Sequence, residues 1–226
     1  MNLKNVTAIV WDLDGTLLNS FEIFGEILAD VVKDLGLAMP SRQERIIHYH
    51  GSLEESIQNV LGLSTPEEVI ATTNLFLKYQ ENHYKGDLNA HLFTDAAVLA
   101  QQAAKQNIKQ LLVTNRAHKN HGTASPRAIV AGTILAKCIH DIHAGDEVAF
   151  RKPDKRCVGD WLEIHKIQPE NLLVIGDQHV DAQLAANLKA RVVLVARDGN
   201  IPHLEKVEGD LSKLSVLDSL SDVLLN

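Results

Sequence analysis

Short apolar runs recur along the chain, each bounded by polar or turn-forming residues: Thr7–Trp11, Gln110–Thr114, Cys138–His143, Leu172–Gly176 and Arg191–Ala196. Their length and their content of β-branched residues predict strands. Between most of them lie segments of helical period, Asp95–Gln106, Pro126–Lys137 and Lys155–His165. Ser125 followed by Pro126 predicts a helix N-cap and a first-turn proline. Alternating strand and helix predict an α/β fold, a parallel sheet with helices on both faces.

One region departs from this alternation. From Ser20 to Lys85 only helical patterns occur: Phe21, Phe24, Leu28, Val31 and Leu35 form one stripe that stops at Gly36, followed by Leu53–Leu61 and Pro66–Tyr84. This predicts an α/β core formed by residues 1–19 and 86–226, carrying an all-helical insert of residues 20–85. The 226 residues, 45% hydrophobic and 23% charged, suit an ordinary globular protein with a sizeable core. The formal net charge of −7, without any Lys/Arg-rich run, argues against nucleic acid as a partner. No stretch has the length of a membrane span, and the first apolar run meets Asp12 too soon for a signal peptide, so a cytoplasmic location without a membrane partner is expected. Cys138 and Cys157 have no metal-ligand spacing and read as free buried thiols. His118-x-x-His121 and His140-x-x-His143 lack a Cys or carboxylate at ligand spacing, so they read as a loop pair and a strand pair. His140 and His143 would point to opposite faces of their strand.

The chemistry concentrates at the strand ends. The first apolar run stops at Asp12, and Asp14 follows two residues later beside Gly15, which permits a sharp turn. Two carboxylates held so close repel each other, and the pairing calls for a cation or a proton. In open parallel sheets the ligand crevice lies beyond the carboxyl ends of the strands. The residues there therefore belong together: Asp12 and Asp14, Thr114-Asn115, and Gly176-Asp177 with Asp181 one helical turn on. The loop Arg151-Lys152-Pro153 adds a cation.

Asp12-Leu13-Asp14-Gly15-Thr16-Leu17, Thr114-Asn115, Lys152-Pro153 and Gly176-Asp177 with Asp181 resemble, in order, the four motifs of the haloacid dehalogenase-like hydrolase superfamily. The likeness runs from Val10 to Ala196. It implies a Rossmann-like core with an all-helical cap, and a phosphatase, most similar to the phosphoglycolate phosphatase-like group, that acts on a small phosphorylated metabolite such as a phosphoglycolate-like compound or a sugar phosphate. Asp12 would be the nucleophile that forms an aspartyl phosphate, and Asp14 the general acid and base. Mg²⁺, or Mn²⁺ in its place, would be held by Asp12, Asp177 and the backbone carbonyl of Asp14. Lys152, anchored by Asp181, would supply a second positive charge, while Thr114 Oγ1 and the N–H groups around Leu13 and Asn115 would grip the phosphate. The second aspartate favours phosphate-ester chemistry over carbon–halogen or carbon–phosphorus cleavage.

The resemblance also points to Tyr49-His50-Gly51-Ser52-Leu53 as the cap's substrate loop, with Arg42 and Arg45 as binders of an anionic substrate tail. The chain is expected to be a monomer or homodimer. Two further readings stay open: a phosphomutase resembling β-phosphoglucomutase, and a catalytically silent metabolite-binding module. Against silence stand the paired carboxylates, which a mere binder has little physical reason to keep. Trp11 in place of the usual Phe, Lys155 where a second proline often stands, and Lys189-Ala190 in place of Ala-Gly depart from the common members without touching the proposed chemistry.

Overall fold

The computed structural model describes residues 2–49, 52–119, 122–197 and 203–225. The chain forms two units, Met1–Asn19 with Leu88–Asn226, and Ser20–Asp87. The first unit is built on a six-stranded sheet. In chain order its strands are β2 (Ala8–Trp11), β3 (Lys109–Thr114), β4 (Asp141–Ala144), β5 (Leu172–Gly176), β6 (Arg191–Val195) and β7 (Leu214–Leu217). A separate two-stranded pair joins β1 (Asn2–Leu3) to β8 (Leu224–Leu225).

All pairings in the large sheet are parallel, and the spatial order is β4-β3-β2-β5-β6-β7. The chain therefore builds outward from β2 on one side, returns, and builds outward on the other. The reversal falls between β2 and β5, where doubly wound sheets open their ligand crevice. Register aligns the two ends there: Trp11 sits level with Leu112 and Ile175, and the Asp12 N–H donates to Ile175 O at 2.9 Å. Asp12 and Asp177 thus leave the sheet side by side.

The central strands are buried along their whole length, because helices cover both faces: α5 (Thr94–Lys105), α6 (Pro126–Ala131), α7 (Arg156–Ile164) and α8 (His179–Leu188) belong to this unit. Val10, Leu111, Val113, Val158, Trp161, Val174, Leu184 and Leu194 belong to one apolar cluster. Within the sheet a polar pair is matched internally. Trp11 Nε1 donates to Gln110 Oε1 at 2.9 Å, and Gln110 Nε2 donates to Ala100 O at 3.0 Å.

Two expected elements are corrected. The segment Pro126–Lys137 is not one helix: α6 stops at Gly132, and the Thr133 hydroxyl donates to Ile129 O at 2.9 Å before a 3₁₀ turn over Ile134–Lys137. The strand expected at Cys138–His143 is Asp141–Ala144 instead, since the Cys138 N–H closes that 3₁₀ turn on Leu135 O. His140 precedes the strand, so the opposite-face argument for His140 and His143 lapses. Strand β7 has no counterpart among the apolar runs that predict strands.

The second unit is all-helical: α1 (Ser20–Leu35), α2 (Arg42–His48), α3 (Leu53–Leu61) and α4 (Pro66–His83). The last three open on the same device, in which Ser41, Ser52 or Thr65 accepts from the N–H three residues on and the glutamate there reaches back. Phe24 of α1 stacks at 5.2 Å on Phe76 of α4 and at 4.7 Å on Tyr49. Where the chain leaves and re-enters the first unit, two segments of that unit pair. Leu18 bridges Leu92 in antiparallel fashion, the Asn19 N–H donates to His91 O at 2.8 Å, and the Phe93 N–H donates to Leu17 O at 2.9 Å. Among the described residues no helix is long and apolar enough to cross a membrane.

Gln110→Leu should leave the buried Trp11 Nε1 without an acceptor and cost about 1–3 kcal/mol of unfolding free energy. Urea denaturation of the two proteins measures it, and a loss below about 0.5 kcal/mol would mean that the pair does not hold the sheet centre.

Candidate active site

Four chain segments converge beyond the carboxyl ends of β2 and β5. Asp12 directly follows β2, Asp177 follows β5, Asp181 lies in the first turn of α8, and Lys152 comes from the loop between β4 and α7. All four are buried, with no residue more than 7% exposed. The Lys152 ammonium donates to Asp12 Oδ1 at 2.5 Å and to Asp181 Oδ1 at 2.7 Å. Asp181 Oδ2 in turn accepts from the Gln178 N–H at 3.2 Å, so the side chain that caps α8 also anchors the lysine. Asn115, expected only near the phosphate, clamps the lysine's backbone: its Oδ1 accepts from Lys152 N at 3.1 Å and its Nδ2 donates to Lys152 O at 3.2 Å.

Close approach makes glycine necessary at two places. A Cβ on Gly176 would overlap the Asp181 carboxyl, and one on Gly15, whose φ is +80°, would overlap that of Asp177. Thr114 is buried at the end of β3, where its Oγ1 accepts from the Arg116 N–H at 3.1 Å. Leu13 is wholly buried, and its carbonyl accepts from Leu17 N at 3.0 Å and Leu18 N at 2.9 Å, closing the turn that carries Asp14. Asp14 itself is paired with a residue outside the sequence-predicted set. Arg116 Nε donates to Asp14 Oδ2 at 3.0 Å and Nη2 to Oδ1 at 2.5 Å. Its place directly after Thr114-Asn115 is the one signal in the sequence that could have found it.

Charge balance defines what this site can hold. Asp12, Asp177 and Asp181 each offer a carboxylate oxygen, the three within 4.8 Å of one another. Against them stands the buried Lys152 ammonium, which leaves two negative charges unbalanced. Burial raises the Asp12 carboxyl to about 7, with Asp181 and Asp14 adding to the shift and Lys152 opposing it. Burial, then Asp12 and Asp181, also hold Asp177 well above the usual carboxylate range. For Lys152 burial works against the charge, but Asp12 and Asp181 outweigh it and the ammonium is held above its ordinary value. Asp177 Oδ1 is buried and has no hydrogen-bond partner among the described residues. An orphaned carboxylate oxygen beside two unbalanced charges fits a divalent cation with oxygen ligands.

The other expected residues lie in the helical unit. Arg42 pairs with Glu22 at 3.2 Å, and its guanidinium lies 5.4 Å from the centre of the Phe21 ring. Arg45 lies 5.4 Å from the same ring and crosses Gly25 so closely that a Cβ there would collide with Nη1. The Ser52 hydroxyl accepts from Glu55 N at 3.1 Å as the cap of α3. His50, Gly51 and His121 lie outside the described residues.

Comparison with known proteins identifies relatives of the whole chain. The family profile described as haloacid dehalogenase-like hydrolase matches residues 9–195. A phosphoglycolate phosphatase of Thiobacillus denitrificans is 27% identical over 183 residues, covering 80% of this chain and 78% of its own. The pyrophosphatase PpaX of Bacillus anthracis is 24% identical over 226 residues, covering 97% and 95%. Among solved structures, that of a predicted phosphoglycolate phosphatase from Haemophilus somnus superposes with a TM-score of 0.73 at 18% identity, covering 96% of each chain.

Between the ordinary aspartate range and about pH 7 the folded protein, free of metal, holds more protons on Asp12 than the unfolded chain does, so Asp12's contribution to stability falls as pH rises through that window. A divalent cation should replace those protons. At a hundredfold excess over Kd it stabilises by about 2.7 kcal/mol, a rise in Tm of roughly 5–10 °C for a chain of this size. Melting curves with Mg²⁺ and with chelator should show that rise at pH 8 and a smaller one at pH 5. Equal gains at both values would refute binding at this cluster.

Proposed function

The chain belongs to the haloacid dehalogenase-like hydrolase family, and on that premise we propose that it is a Mg²⁺-dependent phosphatase of small phosphorylated metabolites working through an aspartyl phosphate. The observation that carries the reading is the buried Asp12–Lys152–Asp181 triad beside the unpartnered Asp177 Oδ1. Catalysis of phosphoryl transfer is chiefly positioning and neutralisation of charge, and this cluster offers both.

Asp12 attacks phosphorus, and its buried oxygen is the one the lysine already holds. Lys152 keeps that carboxylate oriented, then faces the phosphoryl oxygens as charge builds on them. Thr114 Oγ1 and the backbone N–H groups around Leu13 and Asn115 receive the remaining oxygens. Asp14 gives a proton to the leaving oxygen and takes one from the water that opens the acyl phosphate. Asp12, Asp177 and the Asp14 carbonyl would hold Mg²⁺, or Mn²⁺, with Asp181 committed to Lys152. When bound, the cation supplies the positive charge that lets a carboxylate approach a phosphate dianion.

The helical unit serves in this reading as a cap that excludes water and selects the substrate. Arg42 and Arg45, both beside Phe21, suit an anionic tail there, and Ser52 would contribute at its edge. The relatives named for phosphoglycolate and pyrophosphate make small phosphates that carry a second anionic group the first class to try.

Phosphate release should be measured across phosphoglycolate, pyrophosphate, sugar phosphates and p-nitrophenyl phosphate, with Mg²⁺ and with chelator. We expect metal-dependent release that Asp12→Asn lowers by at least about 10³-fold. Release that survives Asp12→Asn would refute the covalent route. Phosphoryl exchange between sugar phosphates without net release would favour the mutase instead.

A further inference from the structure

We propose that Arg116 is a positioning residue that aims the Asp14 carboxyl at the leaving oxygen, an inference that rests on the phosphatase reading above. The pairing is a two-point fork, Nε to Oδ2 and Nη2 to Oδ1, and a planar guanidinium against a planar carboxylate fixes the plane of Asp14 as a single hydrogen bond does not. Both partners are partly buried, with side chains 15% and 30% exposed, so the contact is shielded more than a surface ion pair.

The arginine is itself secured. Nη1 donates to Ala124 O at 3.1 Å, the main-chain N–H donates to Thr114 Oγ1, and the main-chain carbonyl accepts from Gly145 N at 2.9 Å. One residue thereby ties the hydroxyl proposed to meet the phosphate to the carboxyl proposed to meet the leaving group. Asp14 stands on a turn close enough to Asp12 and Asp177 for each to feel its charge.

The fork also suits the direction of the first step. As an Asp12 oxygen bonds to phosphorus and the bond from phosphorus to the ester oxygen breaks, the Asp14 proton passes to that ester oxygen. Asp14 is left as a carboxylate, the form that two guanidinium N–H groups hold best. The contact therefore strengthens as the transition state is reached. Each carboxylate oxygen keeps a further lone pair for the proton it exchanges.

Leaving-group dependence separates this role from a merely structural one. An alkyl ester such as phosphoglycolate needs a proton on its leaving oxygen, whereas p-nitrophenolate leaves with little help. Arg116→Gln should lower kcat/KM, which reports the steps up to the aspartyl phosphate and not its shared hydrolysis, by about 10²-fold for phosphoglycolate and by a factor about ten times smaller for p-nitrophenyl phosphate, whose turnover also reports that the variant is folded. Arg116→Lys, which keeps a charge but not the fork, should show the same unequal loss. Equal losses on both esters would overturn the inference, as would full recovery with lysine. So would a rise in KM for phosphoglycolate at unchanged kcat, which would make Arg116 a binder of the substrate carboxylate. If the native protein hydrolyses neither ester, the phosphatase reading fails first.

Discussion

The buried ammonium of Lys152 is the constraint on which the site depends. Three carboxylates sealed within a few ångströms of one another are untenable alone, and the lysine reaches two of them at once. Removing one partner of a buried ion pair typically costs about 3–5 kcal/mol, because the other is left buried and uncompensated. Much local architecture serves to keep this lysine in place. Asn115 grips its backbone on both sides, Gln178 steadies Asp181 from behind, and Gly176 gives up a side chain so that Asp181 can sit against the strand.

That arrangement still falls short of neutrality, and the shortfall is informative. A fold selected for stability alone would replace such a cluster with apolar residues of similar volume at little loss. Here the imbalance is concentrated at the switch point of the sheet, where β2 and β5 part and the crevice opens. The unpartnered oxygen of Asp177 and the elevated carboxyl of Asp12 have one origin, carboxylates buried together with a single ammonium among them.

The sheet and the carboxylate set were legible in the sequence because both follow from short-range rules. Central parallel strands read as unbroken apolar runs, and Asp12, Thr114 and Asp177 stand at or just beyond the ends of three of them. What escaped depends on contacts distant along the chain. Strand β7 is only partly buried and carries no clear alternation. The helix expected over Pro126–Lys137 ends at Gly132, and Thr133 turns to extended backbone before the 3₁₀ turn. Helix α2, lacking any buried residue, announces itself only through the Ser41 and Glu44 box. Arg116 is marked in the sequence only by its place after Thr114-Asn115, and the carboxylate its guanidinium meets lies 102 positions earlier.

The pairing of Leu17–Asn19 with His91–Phe93, both within the first unit, has one more consequence. Leu17, Leu18 and Asn19 are laced to His91, Leu92 and Phe93 by main-chain hydrogen bonds and one bridge, so the ends of the helical unit are clasped together before it begins. Seen from the sheet, whatever lies between those ends is a closed loop. The entropy of closing such a loop grows only slowly with its length. A segment moored in this way can be lengthened, shortened or exchanged for a different fold at small cost to the scaffold. The scaffold and the segment inserted in it are thereby free to change at separate rates, one anchored in the sheet and the other spliced into a clasp.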